Sequence, residues 1–284
     1  MAVQNSLQRS RGNQRLGISA YLTADAVKNQ INQVVGGKDG QRFISAIVSA
    51  VNTNPALQEC TNQSILSGAL LGESLKLSPS PQLGQYYLVP FNDKNKGKVA
   101  QFQLGYKGYI QLAIRSGQYK KLNVLAIKEG ELIRFDPLNE EIEVRLIEDE
   151  EEREQANTIG YYAMFEYTNG FRKAIYWSKR KMEAHALKYS KGYQAKKGYT
   201  FWEKDFDGMA YKTMLRQLIS KWGIMSIDMA SAIDSDMAVI NEDGTKDYVD
   251  NDATVEPAQE ATPQQSQPEP AVPVDAKAAL FGNN

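Results

Sequence analysis

Apolar positions recur with a helical period near both ends of the chain and with a shorter, strand-like period in the middle. Val27, Ile31, Val34 and Val35 share one face of a helix predicted over residues 23–35, with Thr23 as its N-cap. Phe43, Ile44, Ile47, Val48 and Val51 form a second stripe over 41–52, opened by Asp39 and closed ahead of Pro55. Ile65, Leu66, Ala69, Leu70 and Leu75 form a third after Thr61, and Pro79 and Pro81 stop it. The pattern then changes. Residues 85–91 and 99–104 read as two strands joined by a lysine-bearing hairpin tip, and 122–128, 131–135, 142–147, 158–168 and 171–177 read as further strands. Asn169-Gly170 is a hairpin turn between the last two. The acidic run 148–152 reads as a solvated loop. Helical spacing returns from Ser178, a cap, to about residue 189, then over 206–221 and 225–240. Residues 1–20 are polar, and the chain beyond Asn241 is rich in Asp, Glu, Pro, Gln and Ala. The expected architecture is α+β: N-terminal helices, a central, mostly antiparallel set of hairpins with one helix, basic C-terminal helices and a disordered acidic tail. The expected divisions are an arm and helix over 1–36, a core over 37–240 and a tail over 241–284.

Between the two strand regions lies Gly105-Tyr-Lys-Gly-Tyr-Ile-Gln-Leu-Ala-Ile-Arg-Ser-Gly117. As a helix it sets Lys107, Gln111 and Arg115 on one face at i, i+4 and i+8, and turns Ile110, Ala113 and Ile114 toward a core. Gly105 and Gly108 leave room for close backbone approach, and Gly117 is a stop. From Lys94 to Lys128 there is no acid, whereas eight lysines and arginines occur. A second basic region runs from Arg172 to Lys221, with 13 bases against 4 acids and with Tyr189, Tyr193, Tyr199, Phe201 and Trp202 interleaved. Cations that track phosphates, beside rings on which bases stack, are the physical requirements of single-strand binding. Lys188, Lys191, Lys196 and Lys197 join the candidate site on charge, and Tyr106 and Trp202 join it as rings, with core packing at a helix entry as the other reading of 199–202 and above all of Trp202. His185 shares a helix face with Lys181 and Lys188 and reads as surface or phosphate-facing. Lys212 and Arg216, at i, i+4, read as the outward face of the 206–221 helix.

Charge sharpens this picture. The formal net charge is -1, but residues 1–233 carry 31 bases and 23 acids while 234–284 carry 2 bases and 11 acids. A basic body with an acidic tail suits a polyanion binder. The catalytic alternatives are thin. The single His185 and single Cys60 stand far apart, a zinc cluster within one chain is excluded, and no Gly-x-x-x-x-Gly-Lys-Ser/Thr loop is present. A two-metal nuclease, whose acids converge only in the fold, stays open. A sequence-specific duplex binder lacks a helix-turn-helix signature. No apolar run reaches the roughly 18 residues of a membrane span. One cysteine fits a reducing cytoplasm.

Several motifs occur in a fixed order: Pro55-Ala-Leu-Gln-Glu-Cys60, Leu75-Lys-Leu-Ser-Pro79, Tyr87-Leu-Val-Pro-Phe91, the 105–117 stretch, and Trp202…Asp205…Met209-Ala-Tyr-Lys-Thr213…Arg216. Over roughly 41–236 they resemble the RecT family of phage and prophage single-strand annealing proteins. The run Lys221-Trp-Gly-Ile-Met-Ser226 departs from the family pattern, which has a Pro before its last pair. The resemblance implies ATP-independent annealing of complementary strands without a cofactor, with Mg²⁺ at most modulating it. It implies a ring or filament of many copies that holds single-stranded DNA and the annealed duplex intermediate. A partner exonuclease, a host single-strand binding protein reached through the C-terminal region, no membrane, and the cytoplasm of a bacterial host are also implied. By motif position it carries phosphate binding to Lys107, Arg115, Lys212 and Arg216. The Leu-Phe pair in 276–281 is a candidate docking peptide.

Overall fold

A computed structural model describes residues 16–247, apart from 94 and 199. Helices α1 (Ile18–Thr23), α2 (Asp25–Val35) and α3 (Gly37–Thr53) lead through a short 3-10 turn, Pro55–Glu59, into α4 (Asn62–Ser74). Strands β1 (Tyr86–Asp93) and β2 (Gly97–Leu104) form an antiparallel hairpin, and α5 (Tyr106–Arg115) follows directly. β3 (Tyr119–Lys128), β6 (Thr158–Tyr167) and β7 (Arg172–Ser178) make a three-stranded antiparallel sheet in the order β3-β6-β7. The excursion between β3 and β6 holds the hairpin β4 (Leu132–Asp136) and β5 (Glu141–Val144) and the helix α6 (Glu150–Gln155). The chain continues with α7 (Lys179–Tyr189), α8 (Lys191–Gln194), α9 (Phe201–Lys204), the long α10 (Phe206–Trp222) and α11 (Ile227–Ser235), and closes on a small hairpin, β8 (Val239–Ile240) and β9 (Lys246–Asp247). The mixed, antiparallel architecture is the one the hydrophobic pattern predicts.

Local chemistry explains most boundaries and several departures. The Thr61 hydroxyl accepts from the Ser64 amide and caps α4, and Ser178 caps α7 through the Lys181 amide, as the sequence suggests. Thr23 is not a cap. It ends α1, a helix the polar composition of 1–20 concealed, and its hydroxyl donates back to the Ser19 carbonyl at 2.9 Å. Asp39 does not open α3 either. The helix starts earlier, after Gly36 at φ +88°, leaving Asp39 in the first turn where the helix dipole favours an acid. The acidic run is partly a helix rather than a loop: Asp149 accepts from the Glu152 amide at 2.8 Å and places Glu150, Glu151 and Glu152 in the first turn of α6. Arg153 of α6 then pairs with the fully buried Glu131 at 2.6 Å. The helix expected over 225–240 stops at Ser235. Beyond it the chain lies along β2, where Phe102 donates to the Ala238 carbonyl and Met237 donates to the Phe102 carbonyl, both at 2.8 Å. The segment from 241 to 247 turns back as a hairpin, with Asp247 paired to Lys96 at the β1–β2 tip. The expected arm over 1–15, Lys94, Tyr199 and the tail over 248–284 lie outside the described residues.

The interior has two apolar clusters. The first packs α1–α5, β1 and β2 around Leu22, Ile47, Ile65, Tyr86, Phe102 and Tyr109. The second packs β3, β6 and β7 under α7 and α9 around Tyr161, Phe165, Met182 and Trp202. Helix α10 lines both, giving Leu215 and Ile219 to the first and Ala210, Met214 and Leu218 to the second. Trp222 at its end is exposed.

Candidate nucleic-acid interface

Helix α5 is set in place by its glycines. A Cβ on Gly105 would lie 2.1 Å from the Gly84 carbonyl oxygen, and one on Gly108 would lie 2.1 Å from that of Gln85. Backbone therefore meets backbone, and the Gly105 amide donates to Gln85 O at 2.8 Å. This contact fixes the rotation of the helix about its axis. Gly108, Tyr109, Leu112 and Ala113 face inward, and Ile110 is only half-buried. Ile114, expected in the core, is 61% exposed beside the polar stripe. Lys107, Gln111 and Arg115 are all exposed on the outer face. Arg115 also anchors a neighbouring segment: its guanidinium donates to Leu75 O at 2.5 Å, past the end of α4. Lys76, exposed and at φ +51°, follows, and its own carbonyl accepts from Arg115 at 3.5 Å.

At the other end of the stripe, the Lys107 stem passes Gly84, where a Cβ would meet Lys107 Cδ at 3.4 Å and the Tyr87 hydroxyl at 3.0 Å. Tyr87 contacts Phe201 of α9, with ring centroids 5.5 Å apart. That contact joins the α5 face to the basic segment of α7–α9. Phe201 is 37% exposed, so the ring that reaches solvent here is Phe201 rather than Trp202. Trp202, a candidate stacking ring, is 7% exposed and packs against Phe206, Tyr193 and His185. As folded it is core. Tyr106 is half-buried and meets Tyr211 of α10 edge-on at 5.7 Å, with Lys107 Nζ 6.0 Å from its ring.

The turn before α9 is built to hold its shape. The Glu203 carboxylate accepts from the Gly198 amide, the Thr200 amide and the Thr200 hydroxyl at 2.8, 3.0 and 2.7 Å. Lys196, at φ +50°, and Lys197 ride on that turn, Lys191 opens α8, and Lys188 lies over the Tyr189 ring at 5.2 Å; all four are exposed. His185 is not phosphate-facing. It sits between Trp177, Tyr189 and Trp202. Burial first, then the positive charges of Arg216 and Lys188, bring its pKa down to about 4, so it is neutral at pH 7.

The α10 pair departs most from expectation. Lys212 is buried, with its side chain 10% exposed, and its Nζ donates to Asp236 Oδ1 at 2.8 Å. Arg216 donates to Oδ2 of the same carboxylate at 2.6 Å. These cations point toward α5 and α11 instead of outward. Among the candidates, then, the fold gathers Lys107, Gln111 and Arg115 on one face and links it through Tyr87 and Phe201 to the segment of Lys188, Lys191, Lys196 and Lys197. It places Lys212 and Trp202 inside. The Phe201 signal was present in the interleaved aromatics. Tyr87 stood in a motif without a site role and Asp236 carried no signal, because their partners lie far along the chain. Among the described residues, no group of three or more His, Cys, Asp or Glu is placed to hold a metal ion, and no helix is long and apolar enough to cross a membrane.

Comparison with known proteins defines the class. The model of the RecT family, a family of single-strand annealing recombination proteins, matches residues 41–254, and the chain belongs to that family. It is similar to the uncharacterized protein YqaK of Bacillus subtilis, with 40% identity over 254 residues, covering 88% of this chain and 82% of that protein. It is also similar to protein RecT of Escherichia coli, with 28% identity over 240 residues, covering 81% and 86%.

Proposed function

We propose that this chain binds single-stranded DNA along the outer face of α5 and anneals it to a complementary strand without ATP, as a ring or filament of many copies whose basic faces join into one groove. The observation that carries this reading is the α5 face itself: Lys107, Gln111 and Arg115 all exposed on a helix locked by backbone contact, and continued past Tyr87 and Phe201 into a lysine-bearing segment. Lysines and arginines along such a face neutralise phosphates and release counterions. Exposed rings offer stacking that is indifferent to sequence. With the repulsion between two polyanions removed, base pairing alone selects the partner strand, so neither fuel nor sequence readout is required. Mg²⁺ modulates the reaction by screening and is not a catalytic cofactor. An exonuclease that leaves 3′ overhangs supplies the substrate, and a host single-strand binding protein is met through the C-terminal region. The site of action is the cytoplasm of the bacterial host.

A salt titration of oligonucleotide binding tests this. Log affinity should fall linearly with log salt, by about 0.7 for each phosphate neutralised on a single strand. Lys107→Ala with Arg115→Ala should flatten that slope by about 1.4 and abolish annealing, while circular dichroism stays that of the parent chain. Affinity indifferent to salt, or full annealing by the double variant, would remove α5 from the site.

A further inference from the structure

Asp236 directly follows α11 as its C-cap, and its carboxylate is fully buried. Besides Lys212 and Arg216, it accepts from the Leu104 amide at 2.9 Å. Leu104 ends β2, two residues ahead of α5. Helices α5 and α10 meet alongside this carboxylate: Tyr106 touches Tyr211, and the buried Tyr109 hydroxyl lies beside Arg216 and Asp236. One carboxylate thus ties the end of β2, the α10 helix and the end of α11 together. Two cations share one anion, so the cluster keeps a net positive charge. Lys212 is enclosed, whereas the Arg216 side chain remains 37% exposed. A guanidinium has five N–H donors in a fixed fork; the carboxylate takes one from Nη1 and the Tyr109 hydroxyl lies beside the group, so donors remain for a second oxyanion.

We propose that Asp236 is a positioning residue for strand binding. It holds Arg216 by one donor so that the remaining donors are presented to a phosphate, and it locks the start of α5 so that Arg216 and the Lys107–Arg115 stripe keep a constant spacing. Lys212 supplies the compensating charge that lets a carboxylate reside there. The role rests on the strand-binding reading above and deepens it.

The test is a salt series with a labelled oligothymidylate and the full-length chain, comparing Arg216→Gln, Asp236→Asn, Lys212→Met/Asp236→Asn and Arg216→Gln/Asp236→Asn. Each chain is measured well below its own melting temperature. Arg216→Gln should flatten the slope by about 0.7, the share of one phosphate. Asp236→Asn should lower affinity about tenfold at fixed salt and flatten the slope equally, and adding Arg216→Gln to it should cost nothing further. The Lys212→Met/Asp236→Asn variant removes one charge of each sign, keeps the net charge of the cluster, and should show the same loss; it decides the matter where Asp236→Asn alone does not fold. A purely structural carboxylate would lower the melting temperature, leave the slope of the folded protein at the parent value and let the Arg216→Gln loss add in full; that result overturns the role. A parent chain that fails to bind the oligothymidylate overturns the strand-binding reading together with this one.

Discussion

Lys107 and Arg115 on α5, and Lys212 and Arg216 on α10, are cation pairs at helical spacing, yet the first pair faces solvent and the second is drawn onto a buried carboxylate. The difference lies in what surrounds each helix. One face of α5 presses on the first core, and its opposite face carries Lys107, Gln111 and Arg115 exposed, with Arg115 reaching to the Leu75 carbonyl at its edge. Helix α10 lies between both cores, so its polar stripe is covered as well. A covered lysine needs a counter-charge, and Asp236 provides it from the end of the next helix. Period fixes which residues share a face; it does not fix how deep that face lies.

The largest test of this contrast is Asp236→Ala. With two cations left facing no anion, stability should fall by about 3–5 kcal/mol in a denaturant titration, whereas Lys107→Ala should stay within about 0.5 kcal/mol of the parent. Equal losses from the two would erase the distinction between the stripes.

His185 gives the next measure, because burial first, and then the positive charges of Arg216 and Lys188, hold its pKa down. Its folded value, about 4, lies below the unfolded value of 6.5, so the unfolded chain takes up the proton first. The contribution is complete above pH 6.5 and is lost as the pH falls toward 4, up to about 3 kcal/mol. Unfolding curves at pH 7 and 4.5 should show that loss in the parent and a smaller one in His185→Phe. An identical pH response in both would place His185 in water.

Gly108→Ala probes the α5 side. A methyl 2.1 Å from the Gln85 carbonyl must push the helix off the segment that leads into β1, at about 1–3 kcal/mol, and should turn the exposed stripe with it, so strand affinity falls although no cation is lost. Unchanged melting would mean that the helix is not seated on that carbonyl. The smallest effect belongs to Ile114→Ser, at an exposed site, which should stay within about 0.5 kcal/mol; a large loss would return Ile114 to the core.

Much of the fold was legible because it is local. Thr61 and Ser178 announce their helices through capping, Asn169-Gly170 announces its hairpin, and β1 and β2 read from their alternation. The exposed α5 stripe was legible for the same reason, since the nine residues from Lys107 to Arg115 decide it. What escaped depends on distant parts of the chain. Ile110 and Ile114 were placed inward because aliphatics mark a face, but Gly108 against Gln85 sets the rotation. Lys212 was placed outward because it shares a polar helix face with Arg216 at i, i+4, a reading that fails where a carboxylate 24 positions later comes to meet it. For Trp202 the sequence offered both stacking on a base and core packing at a helix entry, and the rings of His185, Tyr193 and Phe206 around it decide for the core.

Because α10 forms a wall of both apolar clusters, neither half of this molecule has a complete interior without the other. Loosening the helical half strips the lining from the sheet half, and the reverse. Protection of backbone amides against exchange should therefore vanish from both halves in one step, and a chain with two hearts should melt only once.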